Sequence, residues 1–263
     1  MSQRRVLITG AGSGLGLALA LRYARGGARV ACVDLIADRV EAARASLPGQ
    51  GHIALLADVG SDDSMQSLFD QVQKEWGGVD VLINNAGIAS GGPMIETTME
   101  EWRKLLEVDL LSVVRGCRLF LPGMLAAGKG QILSTASFAG LAGAPGIMTY
   151  GVAKAAVVAL SEQLRAEVFD KGILVGVICP SFFRTNLIDT AVGSDRTKKM
   201  ALRLMDTSPD TVDSVADNVF AAAERGQFLI IPTKREPMRW RFKRWFPNQY
   251  FKMLVMLVKK EMK

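Results

Sequence analysis

The sequence predicts an α/β fold in which a parallel sheet of about seven strands is covered by helices on both faces. Short apolar runs alternate along the chain with longer segments rich in Ala, Leu and Glu, the order expected of strands joined by helical crossovers. The 263 residues, 49% of them hydrophobic, suffice for one large core. The strands are predicted near residues 5–9, 28–34, 52–57, 79–84, 130–135, 173–179 and 227–231.

A glycine-rich turn follows the first predicted strand and leads into an Ala/Leu-rich helix that runs to about Arg25. Its glycines, Gly10, Gly14 and Gly16, leave room for the backbone N–H groups of a helix start to meet a pyrophosphate. The second predicted strand ends at Asp34, a carboxylate suited to accept hydrogen bonds from an adenosine ribose. The pattern therefore predicts a Rossmann-type, doubly wound sheet that binds a dinucleotide at the carboxyl ends of its strands.

Local sequence also predicts two helix starts. Thr98 with Glu101 has the spacing of a capping box, and Ser208-Pro209 is the pattern of a cap followed by proline in the first turn. The segment 186–207 has an irregular sequence, which mixes Gly193 and charged residues with scattered Leu and Met, and a plain surface loop is one interpretation of it.

Tyr150 and Lys154 lie four residues apart in a segment, 149–169, with the composition of a helix. At that spacing the two side chains share one helix face, so an ammonium sits beside a phenol and favours its ionised form. Such a pair is also typical of an ordinary surface contact. Ser137, thirteen residues before Tyr150, and the dinucleotide turn favour the catalytic interpretation.

Taken together, these segments resemble the short-chain dehydrogenase/reductase family along nearly the whole chain. Asp58-Val59 resembles the family's pair beside the adenine ring, Asn84 to Gly87 the segment that steadies the sheet, and Ile132 to Gly140 the strand and loop of the catalytic serine. Pro180 to Thr185 resembles the segment that contacts the nicotinamide. The resemblance implies that the catalytic residues are Ser137, Tyr150, Lys154 and Asp109, and that the cofactor-binding residues are Gly10, Ser13, Gly14, Leu15, Gly16, Asp34, Asp58, Val59, Asn85, Ala86, Gly87, Tyr150, Lys154, Pro180, Phe183 and Thr185.

The chain departs from the family pattern at two positions. Asp109 stands where the family has an asparagine on the long central helix, which puts the usual proton relay in question. Ser181 replaces the glycine that usually follows Pro180, a change that affects backbone freedom rather than chemistry.

The expected cofactor is NAD in preference to NADP. Asp34 repels a 2′-phosphate, and neither Ser13 nor Leu35 offers a basic side chain to receive one. The resemblance implies an oxidoreductase that interconverts an alcohol and its ketone or aldehyde, with a lipophilic substrate of steroid, retinoid or long-chain type. The alternatives are a 3-oxoacyl thioester reductase and a non-catalytic cofactor-binding sensor. We also expect a homodimer or homotetramer.

Several function classes are disfavoured by composition. His52 is the one histidine and there is no Cys-x-x-Cys, so no metal site is expected. The three cysteines lie in apolar surroundings and are expected to be reduced core thiols. The first strand begins near residue 5, which leaves no room for a signal peptide, so a cytoplasmic protein is expected.

The C-terminal segment differs in kind from the rest of the chain. Residues 232–263 contain ten Lys/Arg and two Glu, a net charge of +8 against +6 for the whole protein, so residues 1–231 carry −2. Six of the eighteen aromatic residues also lie there. We therefore predict a dinucleotide-binding and catalytic domain over 1–231 and a basic, aromatic extension over 232–263. The extension is suited to an anionic membrane surface, a neighbouring subunit or the substrate mouth, and nothing else in the sequence favours nucleic acid.

Overall fold

The computed structural model describes residues 3–185, 192–193 and 195–261, and the side chains of 192–193, 195–198, 200 and 257–261 are outside that description. Its central feature is a parallel sheet of seven strands in the order β3-β2-β1-β4-β6-β7-β9. A short parallel pair, β5 with β8, lies apart from it. The strands are β1 (Arg5–Thr9), β2 (Arg29–Asp34), β3 (Ile53–Leu56), β4 (Val81–Asn84), β5 (Ser90–Gly91), β6 (Gly130–Thr135), β7 (Ile173–Ile178), β8 (Val192–Gly193) and β9 (Leu229–Ile230).

The predicted fold class and the seven predicted strands are confirmed. The strand order changes direction between β1 and β4, because β2 and β3 extend to one side of β1 while β4 and the later strands extend to the other. In open parallel sheets, such a switch point leaves a crevice at the carboxyl ends of the strands, where ligands bind.

Helices cover both faces of the sheet, and each face has its own apolar core. Leu19 and Val219 contribute to one core, and Leu68, Phe120 and Val157 to the other. The helices are α1 (Gly14–Arg25), α2 (Ala37–Ser46), α3 (Asp62–Trp76), α4 (Met99–Leu106), α5 (Ser112–Ala127), α6 (Phe138–Ala142), α7 (Met148–Glu167), α8 (Asp195–Asp206), α9 (Val212–Glu224), α10 (Glu236–Trp245) and α11 (Pro247–Glu261), with a π-helical segment (Glu107–Leu111) between α4 and α5.

One predicted helix start is confirmed and the other is wrong. The capping box is formed by Thr98 and Glu101, whose backbone N–H groups bond reciprocally to the two side chains. The helix expected after Ser208 begins at Val212 instead, because Thr211 caps it by accepting from the Ser214 amide at 3.1 Å. Ser208 forms a turn by accepting from the Asp210 amide at 3.2 Å.

The described part of 186–207 does not form the plain surface loop that was one interpretation of its sequence. Strand β8 and the twelve-residue helix α8 lie within it, while residues 186–191 and 194 lie outside the described part. Met205 of α8 is buried and Leu202 is exposed, so the scattered apolar residues belong to an amphipathic helix.

The stretch 99–127 is long and apolar enough to cross a bilayer. It is a core element here, since Val113, Cys117 and Phe120 pack in the interior and the π-helical segment interrupts it. The histidine and the cysteines are structural: His52 Nδ1 accepts from the Val30 amide at 3.1 Å, and burial raises the pKa of each cysteine thiol to about 12.

Candidate active site

The glycine turn between β1 and α1 is shaped by close backbone approach. A Cβ atom at Gly16 would lie 2.1 Å from the carbonyl oxygen of Gly10, and Gly14 has φ +54°, a conformation that favours glycine. Ser13 caps α1 without a side-chain hydrogen bond to the helix, and no acidic residue stands in the first turn. The first N–H groups of α1 therefore retain capacity for an anion, and the turn fits a dinucleotide pyrophosphate. Leu15 packs in the core beneath it.

Asp34 lies at the end of β2, beside this turn. Its two carboxylate oxygens accept from the Gly12 amide at 3.0 Å and the Ile36 amide at 3.2 Å. These bonds fix the carboxylate at the edge of the crevice while it stays partly exposed.

Arg39 is a basic side chain near this turn that was not among the positions, Ser13 and Leu35, considered for a 2′-phosphate. Its Cβ atom lies 2.9 Å from where a Cβ at Gly12 would be, so the arginine stem borders the glycine turn. The signal was available, because α2 starts three residues after Asp34 and its first turn brings Arg39 back towards the strand end.

The segment after β4 is tied to the end of β1. Thr9 Oγ1 accepts from the backbone N–H groups of Asn85 at 2.9 Å and of Ala86 at 3.0 Å. The side-chain Nδ2 of Asn85 donates to the Thr9 carbonyl at 3.0 Å. A Cβ atom at Gly87 would lie 3.1 Å from Asp109 Oδ1 and 3.2 Å from Lys154 Nζ, so the backbone here passes directly over those two charges.

Asp58 and Val59 follow β3 at the same edge of the sheet. Asp58 is exposed, and its Oδ1 accepts from the Gly60 amide at 2.8 Å, while Val59 is buried. They follow Ala57, whose amide donates to the Asp34 carbonyl at 3.0 Å, and their contact with an adenine ring stays a prediction.

Three of the four predicted catalytic side chains converge at the carboxyl ends of β6 and β7. Ser137 is the N-cap of α6, where its Oγ accepts from the Ala139 amide at 3.1 Å and donates to the Pro180 carbonyl at 3.4 Å. Tyr150 lies in the first turn of α7, near enough to Ser137 for that side chain to act against the rise in the pKa of Tyr150. One turn later, Lys154 Nζ lies 5.7 Å from the centre of the Tyr150 ring and donates to the Thr135 carbonyl at 3.1 Å.

Asp109 joins this cluster from the π-helical segment. Its side chain is fully buried, its Oδ1 accepts from the Ile88 amide at 2.8 Å, and its Oδ2 forms an ion pair with Lys154 Nζ at 3.1 Å. The extra residue in the helical turn aims this carboxylate at the lysine, a use of π-helical turns that is frequent at functional sites.

Burial dominates the electrostatics of the cluster. Burial is the largest cause of the raised pKa of Tyr150, and the negative charge of Asp109 raises this pKa further. The positive charge of Lys154 and the neighbouring Ser137 hydroxyl lower it, but by less. Burial also raises the pKa of Asp109, against the attraction of Lys154. For Lys154, burial lowers the pKa, but the charge of Asp109 and the partner Tyr150 outweigh that effect and the net shift is upward. The net pKa of Tyr150 is therefore above its ordinary value even with Lys154 beside it, and further positive charge nearby would lower it.

The segment 180–185 links the cluster to the glycine turn. Pro180 accepts from the Phe138 amide at 2.8 Å, and Thr185 lies beside Gly14, since a Cβ there would be 3.7 Å from Thr185 Cβ. The Phe183 side chain is buried in the core, so its backbone is the part that can contact a cofactor. Ser181 has no positive φ, so the replacement of the usual glycine carries no backbone strain.

The short β5–β8 pair is connected to the start of α7, the helix that carries Tyr150. Strand β5 pairs with β8, the neighbouring Gly92 bridges to Ile147, and Thr149 donates to Ser90 Oγ at 3.0 Å. These contacts join the segment after β4 to the start of α7. Apolar side chains in the segments that flank the site, namely Met94, Ile95, Met148 and Phe182, are exposed.

Comparisons with known proteins agree with this geometry. The family model described as short chain dehydrogenase matches residues 4–195. The chain is 37% identical to a meso-2,3-butanediol dehydrogenase from Serratia marcescens over 69% of this chain and 72% of the relative. It is 35% identical to a D-threitol dehydrogenase from Mycolicibacterium smegmatis over 85% and 87%.

Two solved structures are also similar. A short-chain dehydrogenase/reductase from Burkholderia phymatum in complex with NAD has a TM-score of 0.85 and 28% identity, covering 92% of this chain and 93% of that one. A short-chain dehydrogenase from Sphingobium yanoikuyae in complex with NADPH has a TM-score of 0.78 and 28% identity, covering 96% and 94%.

Proposed function

Because the chain belongs to the short-chain dehydrogenase family, we propose that it is an NAD-preferring oxidoreductase that interconverts a secondary or primary alcohol and its ketone or aldehyde. The observation that carries this proposal is the convergence of Ser137, Tyr150 and Lys154 at the sheet edge where the glycine turn and Asp34 also lie. A sensor that had lost its chemistry has no need of that convergence.

In the oxidative direction, Tyr150 acts as the base that takes the hydroxyl proton of the substrate, and Ser137 donates a hydrogen bond to the same oxygen. Lys154 stabilises the Tyr150 phenolate by its charge, and it is the residue that would hold the nicotinamide ribose of a bound cofactor. A bound nicotinamide dinucleotide supplies the hydride acceptor and, in its oxidised form, further positive charge that lowers the pKa of Tyr150.

The preference for NAD depends on two opposing side chains. Asp34 is fixed at the edge of the glycine turn and repels a 2′-phosphate, whereas Arg39, whose stem borders the same turn, attracts one. We expect Asp34 to have the larger effect on cofactor preference, because hydrogen bonds hold its carboxylate in position. Arg39 is exposed to water, so its charge is screened.

Two substrate classes are supported by different observations. The relatives act, by their names, on butanediol and threitol, which favours a small secondary alcohol or diol. The exposed apolar residues Met94, Ile95, Met148 and Phe182 favour a second candidate, an alcohol with a lipophilic body. We rank the small alcohols first, since neither relative is named for a steroid or a retinoid.

A dehydrogenase screen tests the function and its substrate class together. NADH and NADPH formation is measured with a short diol, a long-chain secondary alcohol, a hydroxysteroid, retinol and a 3-hydroxyacyl thioester. We expect turnover with NAD and the largest kcat/KM for the short diol. A preference for the long-chain or steroid alcohols would favour the lipophilic candidate, and selectivity for the thioester would favour a thioester reductase. If the protein binds NADH but turns over none of these alcohols, the proposal that it is an enzyme is refuted.

A further inference from the structure

The C-terminal helix pair, α10 with α11, has one face attached to the body of the protein and another turned to solvent. On the attached side, Lys243 Nζ donates to the Leu141 carbonyl at the end of α6, and Glu236 and Tyr250 are buried. Phe242 packs against both Phe246 and Tyr250, with ring centres 5.7 and 6.4 Å apart. The pair is therefore a folded element.

The outer side of this pair exposes large apolar side chains. Met238 and Trp245 are 74% and 72% exposed, and because they are seven residues apart on α10 they share one helix face. On α11, Phe251 and Met256 are 65% and 64% exposed. Because they are five residues apart, they lie about 140° apart around the helix and bound a broad exposed side of it. Large apolar residues exposed on a folded element mark an interaction surface.

Positive charge accompanies these apolar residues. Arg241, Arg244 and Lys252 are exposed, and Arg244 lies over the Trp240 ring at 5.2 Å, where it keeps contact with apolar surface. The segment 232–263 carries a net charge of +8, against −2 for residues 1–231. The partner must therefore offer both negative charge and an apolar interior.

Charge also disfavours a second copy of this chain. If the helix pair met its own copy, +8 would face +8, and if it met the rest of a second copy, it would face a net charge of only −2. A single-stranded nucleic acid satisfies the charge and stacks on aromatic rings, but it offers no apolar phase for Met238 and Met256. An anionic bilayer meets both demands, because aromatic and aliphatic side chains enter the headgroup boundary while Lys and Arg contact the lipid charges.

We propose that the C-terminal helix pair is a peripheral docking surface for an anionic lipid bilayer, with Met238, Trp245, Phe251 and Met256 at the headgroup boundary. The contact of Lys243 with α6 places the helix pair beside the helix that Ser137 caps. The proposal is independent of catalysis, since vesicle binding is measured without substrate or cofactor.

The test is co-sedimentation of the full-length protein with vesicles of phosphatidylcholine containing phosphatidylserine, beside vesicles of phosphatidylcholine alone. We expect binding to the anionic vesicles that weakens as salt rises towards about 1 M, where the screening length falls to about 3 Å. Neutralising Arg241, Arg244 and Lys252 to glutamine should lower the partition coefficient about a hundredfold, at roughly fivefold per basic residue. A control variant neutralises three exposed basic residues elsewhere, Lys74, Lys104 and Arg118, and should bind as the wild type does.

A second variant, Trp245→Ala with Phe251→Ala, tests the apolar contribution and should weaken binding even at high salt. Both side chains are largely exposed, so their removal leaves the core intact. Full-length protein that stays in the supernatant at low salt, or a control variant that loses as much binding as the tail variant, would overturn the proposal. So would tail variants that alter the oligomeric mass in light scattering, or tail-dependent binding to a single-stranded oligonucleotide without binding to vesicles.

Discussion

Asp109→Asn removes a buried negative charge 3.1 Å from the Lys154 ammonium and keeps a side-chain oxygen to accept from the Ile88 amide. At an effective dielectric constant of ~20, two unit charges at this separation attract by roughly 5 kcal/mol, and the cost of burying both charges offsets much of that attraction. Breaking a buried ion pair typically costs about 3–5 kcal/mol. Because the Thr135 carbonyl still accepts from Lys154, we expect a loss near ~3 kcal/mol in the free energy of unfolding.

The same substitution should ease ionisation of Tyr150. Burial is the main cause of the raised pKa of Tyr150, and the negative charge of Asp109 adds to it. Removing that charge lowers the pKa of Tyr150, so the limb of the pH profile at which the phenolate forms moves to lower pH. We expect kcat/KM for alcohol oxidation to rise at pH values below that limb and to stay within a few-fold on the plateau.

The assay is the pH dependence of kcat/KM for alcohol oxidation, with Asp80→Asn as the matched control. Asp80 is also a paired carboxylate, since its oxygens accept from Arg5 at 2.9 and 3.0 Å, but it lies at the amino end of β4, away from the site. The control should lose stability and leave the limb in place. A limb that stays in place or moves to higher pH in Asp109→Asn would refute the electrostatic reasoning. A plateau loss of ~10²-fold or more would show instead that the carboxylate belongs to the proton path.

Three further predictions concern cofactor choice, the glycine turn and acid stability. Asp34→Ala should lower kcat/KM for NAD by about 10- to 100-fold, the scale of a lost charged hydrogen bond, and so reduce the ratio of kcat/KM with NAD to kcat/KM with NADP. Adding Arg39→Gln to that variant should raise this ratio again. Gly16→Ala should abolish NADH binding in a fluorescence titration because its Cβ would meet a carbonyl oxygen at 2.1 Å, whereas Gly123→Ala, with nothing within 4 Å, should bind normally. The pKa of Asp80 is lowered by its hydrogen bonds to an arginine, so the stability that the Asp80 carboxylate contributes is present above pH ~4 and is lost as pH falls. The urea unfolding midpoints of wild type and Asp80→Asn should therefore converge in acid. A difference between the midpoints that does not change with pH would contradict this prediction.

The features that sequence predicted well are those fixed by local spacing. The glycine turn, the Thr98 capping box and the Tyr150/Lys154 pair each depend on residues within about two helical turns of one another, so their geometry follows from the chain itself. The seven strands were predictable because strands buried on both faces are continuous apolar runs.

The features that sequence did not predict depend on contacts between distant segments or on competition between local signals. The contact of Lys243 with α6 joins the last helices to the catalytic loop, and no spacing rule links them. The ion pair of Asp109 with Lys154 needed the π-helical segment to aim the carboxylate. The start of α9 was misplaced because Ser208 and Thr211 are both good caps, and Ser214 decided between them.

The central claim is that Tyr150 is the acid–base residue of an NAD-dependent alcohol dehydrogenase, and Tyr150→Phe tests it most directly. The matched control is Tyr23→Phe, which removes a buried hydroxyl that has no hydrogen-bond partner among the described residues. NADH formation and equilibrium NADH binding are measured for both variants and the wild type. We expect Tyr150→Phe to lose ~10²- to 10⁴-fold in kcat/KM while NADH affinity stays within a few-fold, and Tyr23→Phe to match the wild type. Retention of more than about a tenth of kcat/KM by Tyr150→Phe, a loss under roughly 1.4 kcal/mol, would contradict the claim.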